Sequence, residues 1–204
     1  MIRMRAFIIK LILGLILVGG ATYAAYYYTQ ESHGDFNEET AKKVRTVVDK
    51  RGYVDNTVSV KELRKDVDKV SEDVLRGELE ARLPDIEDRQ KADRMTRRLI
   101  KKGVVTDVAS QERIQAAINA MDVFPDSEWK EKRLMSLADA SQQLSDSYTL
   151  RRNMDVWLTG ENKNKEIPSE TFEKYRLGIR KLKNEKTYNE LTEKLDQLQD
   201  RIKK

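Results

Sequence analysis

The 204-residue chain contains no cysteine and a single histidine, His33. The first absence excludes a disulfide framework, a thiolate metal centre and a cysteine nucleophile. The second leaves His33, in the polar stretch SHGD, without the further ligands that a histidine metal site needs; Asp35 alone does not make one. Aromatic residues are scarce, at 7% against 36% charged. That balance fits exposed helices around a modest core rather than a thick globule. Only three prolines occur, Pro84, Pro125 and Pro168. No long segment alternates apolar and polar with period two, so almost no sheet is expected. There is no Walker loop, dinucleotide fingerprint, G-x-S-x-G or H-E-x-x-H. No catalytic residue, metal or cofactor is therefore expected, and the chain reads as something other than an enzyme.

Long apolar runs are missing too, with one exception. Ala6 to Tyr28 carries no charge over 23 residues except Lys10. As a helix it reaches roughly 34 Å, enough to cross a hydrocarbon core of about 30 Å. The flank before it holds Arg3 and Arg5 and no acid, whereas Thr29 to Thr40 holds Glu31, Asp35, Glu38 and Glu39 and no Lys or Arg. Positive charge stays on the cytoplasmic side of a span. The N-terminus is expected in the cytoplasm and the rest outside it, on the periplasmic side in a Gram-negative cell. The Lys10 stem follows the lipid while its ammonium reaches the headgroups. Tyr26, Tyr27 and Tyr28 suit the outer interface. Gly14, Gly19 and Gly20, with Ala21, Ala24 and Ala25, give the small-xxx-small spacing that lets a second helix approach. A cleaved signal peptide shares the basic start and small residues, but this apolar run is long and passes into an aromatic cluster.

Net charge is +4, with a pI of 9.1. Arg3, Arg5 and Lys10 account for most of it, since residues 29–204 carry 36 basic and 35 acidic side chains. The pI therefore gives no support for nucleic-acid binding. The partners this composition points to are membrane lipid, other membrane or envelope proteins, and further copies of the chain.

The remaining punctuation is helical. Capping-box starts occur at Asp35 with Glu38, Ser59 with Glu62, and Thr187 with Glu190. Asp126 and Ser169 read as caps of two further helices. The three prolines are expected at helix starts, Pro84 also ending the helix before it, and Gly52, Gly103 and Gly160 are expected past helix ends. Val60, Leu63, Val67, Val70 and Val74 repeat at 3-4 spacing, a heptad seam that continues more thinly to Ala81. Leu191, Leu195, Leu198 and Ile202 repeat it near the other end. The expected fold is all-α: a single N-terminal transmembrane helix, then a helical bundle with coiled-coil-like segments. Its divisions are 1–28 for the cytoplasmic stub and anchor, 29–34 for a linker, and 35–204 for an extracytoplasmic helical domain, with 160–168 the candidate sub-boundary.

Two stretches carry site-like patterns. Asp49 to Leu63 resembles an EF-hand calcium loop in outline. Counted back from Glu62, however, the first two ligand positions are Arg51 and Tyr53, which do not bind calcium. Arg89, Lys91, Arg94, Arg97, Arg98, Lys101 and Lys102 make a basic helix interrupted only by Asp93. It is either a solvated face or a contact for an anionic surface through Arg94, Arg97, Arg98 and Lys101. The functional expectation is a structural, scaffold or accessory subunit of a membrane or envelope complex. Its first rival is a membrane-bridging lysis protein of the spanin type, which likewise has a basic start, one span and a heptad-bearing ectodomain. A tethered envelope hydrolase is the second. The Glu-x8-Asp-x5-Thr pattern of membrane-tethered phage lysozymes does not occur.

Overall fold

The computed structural model describes residues 34–202. The expected anchor, with Lys10, Gly14, Gly19, Gly20, Tyr26, Tyr27 and Tyr28, lies outside the described residues. Among the described residues no helix is long and apolar enough to cross a membrane. They are mostly helical, in two compact units. One comprises residues 34–49 and Val54–Asp88. The other comprises Lys50–Tyr53 and the chain from Arg89 onward.

The first unit opens in helix α1, through residue 46. Helix α2 (Val60–Val67) follows, capped by Ser59, whose hydroxyl accepts from the Glu62 N–H. Helix α3 (Asp73–Leu99) begins in this unit. One cluster forms the core: Ala41, Val44 and Val47 from α1 and its exit, Leu63 and Val67 from α2, Val70, and Leu79, Leu83 and Ile86 from α3.

The expected continuous seam is broken here. The chain leaves helix after Val67 and resumes it at Asp73. Ser71 explains part of the break, because its N–H donates to Asn37 Oδ1 at 3.2 Å and its hydroxyl accepts from Asn37 Nδ2 at 3.0 Å. Tied to α1, Ser71 is held off the helical path. Val67 and Val70 stay buried and Val60 packs partly against the core. Val74, past the phase change, is 82% exposed, which corrects its assignment to the seam.

Pro84 also departs from expectation. It neither ends one helix nor starts another but lies inside α3. Leu79, Leu83 and Ile86 continue one buried face through it, while Pro84 itself is exposed. Glu80, whose carbonyl loses its hydrogen bond there, is an exposed residue, and core burial on the other side outweighs the loss. Pro84→Ala restores the bond and is expected to raise stability by about 1–3 kcal/mol, read as a higher melting temperature. An unchanged or lower one would show that the proline is fitted to a bend.

In the second unit α3 ends in a two-stranded ribbon, β1 (Ile100–Lys101) against β2 (Val104–Val105). Lys102 and Gly103 turn between them with φ of 51° and 75°, the left-handed pair that a two-residue hairpin needs. Gly103 thus serves a turn rather than a helix end. Three helices follow the ribbon and its exit: α4 (Gln111–Asp122), α5 (Glu128–Leu158) and α6 (Ser169–Ile179). Helix α7 (Glu185–Gln199) completes the unit. Ser110 caps α4 as an N-terminal serine should. Helix α5 is capped by Ser127, not Asp126, and α7 by Asn184, not Thr187. Helix α6 starts after Pro168 with no side-chain cap.

Leu191, Leu195 and Leu198 of α7 are buried against Met154, Ile167, Phe172, Tyr175 and Ile179, with Ile202 partly buried beside them. The two heptad seams therefore serve two different cores. The α5–α6 loop is fastened by Arg201. Its guanidinium donates to the carbonyls of Trp157 (2.7 Å), Asn162 and Lys165 (both 2.8 Å), while its own carbonyl accepts from Ile167 N–H.

Near the start of α5 lies a buried charge cluster. Asp93 is 1% exposed. Its Oδ1 accepts from Arg133 Nε at 2.7 Å and from the indole of fully buried Trp129 at 3.1 Å, and its Oδ2 lies 2.6 Å from Arg97 Nε. Arg89 lies over the rings of Phe124 and Trp129, at 4.7 and 5.5 Å. Gly52 packs against this corner with φ of 87°, and a Cβ there would lie 2.7 Å from Ser127 Oγ. Arg51 C=O next to it accepts from Trp129 N–H.

Candidate functional site

A cleft of about 590 Å³ lies in the second unit. Three segments meet around it: the exit of β2, the middle of α5, and the turn from α6 into α7. Its floor is apolar, from the partly buried Leu144, Leu150 and Leu182. A Cβ at Gly178 would lie 2.7 Å from Leu150 Cδ2, a terminal methyl that would have to turn aside.

Asn184 ties the cleft together. Its Oδ1 accepts from Thr187 N–H at 2.9 Å and caps α7. Its Nδ2 donates to the Val105 carbonyl at 2.9 Å and to Asp107 Oδ1 at 3.3 Å. From the α5 side, Gln143 Oε1 accepts from Val105 N–H at 3.1 Å and its Nε2 donates to Gly103 C=O at 3.0 Å. Glu190, expected to close a capping box on Thr187, instead takes Arg151 in a forked pair at 2.8 and 2.7 Å. The hydrogen bonds from Arg151 lower the Glu190 carboxyl below its ordinary 4.5. Partial burial opposes them, and the charges of Arg151, Lys194 and Lys186 add to the lowering. A depressed carboxylate stabilises the fold above its unfolded value and loses that contribution as pH falls through the folded one. The effect is small here, because both partners are about one-third exposed or more.

Lys181, Lys183 and Lys186 line the rim, all exposed. Lys183 pairs with Asp139 at 3.2 Å and Lys186 with Asp107 at 3.8 Å, across exposed contacts.

The basic helix expected to meet an anionic surface is partly committed elsewhere. Arg97 is held by Asp93, and Arg94 donates to Gln90 at 3.3 Å. Arg98, at the end of α3, and Lys101, in β1, are exposed. Asp93, in sequence the odd acid among bases, is the hub of the buried cluster. At the EF-hand-like stretch, Asp55 accepts from the N–H and hydroxyl of Thr57 at 2.8 and 2.7 Å. These bonds, the hydroxyl's first, hold its carboxyl below the usual range. Among the described residues no group of three or more Asp, Glu, His or Cys is arranged to hold a metal.

Sequence reasoning missed the cleft residues Gln143, Arg151 and Asn184. The one local signal was Asn184 three residues before Thr187, a legitimate cap spacing. No family model, no curated protein and no solved structure matches the chain.

Proposed function

We propose that this is a non-enzymatic, single-pass membrane protein whose helical domain acts outside the cytoplasm as a structural or accessory subunit of a membrane or envelope complex. The observation that carries this reading is the asymmetry about residues 6–28. Arg3, Arg5 and Lys10 stand at one end, and Glu31, Asp35, Glu38 and Glu39 beyond the other. That pattern orients a single span with its N-terminus inside. The helical units and a peptide-sized cleft suit an interaction module tethered by the span. A spanin-type bridge is favoured less, because it calls for a long exposed rod. The 31 residues of α5 instead pack against α4, α6 and α7.

Protease added outside sealed bacterial spheroplasts expressing the full chain is expected to digest the helical domain. Complete protection until the membrane is permeabilised would reverse the orientation and with it the proposed place of action.

A further inference from the structure

One wall of the cleft is a strand edge. In the β1–β2 ribbon Ile100 pairs with Val105 and Lys101 with Val104, and the next ladder bond runs from Thr106 N–H to Leu99 C=O at 2.8 Å. Bonded and non-bonded pairs alternate along an antiparallel ladder. With Thr106 bonded inward, Val105 turns its own N–H and C=O outward, on the same side as Gly103 C=O. Such an edge is a template for another strand. Among the described residues no further strand pairs with it. Gln143 takes Val105 N–H and Gly103 C=O, and Asn184 takes Val105 C=O. Two side-chain amides thus make the bonds that a third strand would make.

We propose that the β2 edge and the adjoining cleft receive an extended acidic peptide segment of a partner protein, added as a third strand. The proposal deepens the accessory-subunit reading and rests on it. The exchange is close to even, because each backbone bond gained replaces an amide bond and the freed amides bond to water. Alternate side chains of an added strand point to one face, where Leu144, Leu150 and Leu182 offer an apolar floor. Acidic side chains meet Lys181, Lys183 and Lys186. Two of these lysines are held only by exposed ion pairs, which contribute little and yield readily to an incoming carboxylate. The packing of Leu191, Leu195 and Leu198 against Met154 keeps α7 closed on α5 while the rim exchanges partners. The volume of about 590 Å³ lies in the range of binding clefts. Backbone bonding supplies affinity and the pockets supply choice, as in other strand additions.

A phage-displayed library of random 12-residue peptides, selected on the immobilised full chain in mild detergent, tests this. Three variants accompany it: Lys181→Glu with Lys183→Glu and Lys186→Glu, Thr149→Trp, and Gln143→Ala. The lysines and Thr149 are exposed cleft-lining positions, and circular dichroism melting verifies that each variant folds. The enriched peptides are expected to carry acidic residues beside alternating aliphatic ones. They should bind the triple variant and the Thr149→Trp variant at least tenfold more weakly, and Gln143→Ala several-fold more tightly. N-methylating one alternate set of peptide amides should abolish binding, and the other set should tolerate it. Peptides that bind Thr149→Trp equally well, or tolerate N-methylation at every position, overturn the proposal. So does the absence of any cleft-dependent peptide, which makes the two amides guards that blunt the edge. If the domain is still digested outside spheroplasts, the accessory-subunit reading survives that result.

Discussion

Asp93→Ala is expected to lower stability by about 3–5 kcal/mol, the usual cost of removing one partner from a buried ion pair. For a chain of this length that is a fall of roughly 6–20 °C in melting temperature. The carboxylate is 1% exposed and answers the Arg133 guanidinium, the Trp129 indole and Arg97. Alanine leaves the fully buried indole N–H without its acceptor and Arg133, 24% exposed, without its counter-charge. Arg97 matters less, since its side chain is 61% exposed and rehydrates. Arg97→Gln should therefore cost far less, within the range of about 0–1 kcal/mol typical of surface pairs. Thermal melting followed by circular dichroism at pH 7 checks both. A melting temperature within 2 °C of wild type for Asp93→Ala would mean that water reaches the cluster and repays the loss.

The second large effect separates the two readings of the heptads. Val67 and Leu198 are both fully buried, in different cores. Aspartate at either site forfeits the burial of an aliphatic side chain, worth about 1.5–3 kcal/mol, and desolvates a charge without a partner. Each is expected to cost about 3–5 kcal/mol with no change of oligomeric state by light scattering, because each seam is covered inside its own unit. Val74→Asp is the control. At 82% exposure it should change stability by no more than about 0.5 kcal/mol, although the 3-4 spacing gives Val67 and Val74 the same role. Equal losses at Val67 and Val74 would restore the uninterrupted coiled-coil helix.

These contrasts mark how far the pattern of residues could be read. Helical class, the capping serine Ser59 and the leucines of α7 are local signals within one or two turns, where spacing alone carries the information. Pro84 misled because a proline's cost depends on which side of the helix it occupies, and only the tertiary core decides that. The hairpin was hidden because a lysine occupies the first left-handed position in place of the asparagine or aspartate that marks such turns. The cleft left almost no trace. Gln143 reaches Val105 across 38 residues and Asn184 reaches it across 79, distances over which no periodicity speaks. Asp93 did leave one, as the single acid in a basic run, but the pattern could not say that it was buried.

Arg201 has a consequence in time. Synthesis proceeds at about 5–20 residues per second, and Arg201 lies 44 residues beyond Trp157, whose carbonyl it holds. The far half of α5 leaves the ribosome roughly 2–9 seconds before its fastener exists. For most of that interval Leu150, Met154 and Trp157 have no complete α7 to cover them, and the loop between α5 and α6 is untethered. Nascent chains of this protein thus pass through an obligatory open stage with a greasy helix on display, while the first unit, all of whose core residues precede Asp88, has already been able to close. Any chaperone or assembly partner that grips that helix has a window set by translation speed rather than by equilibrium.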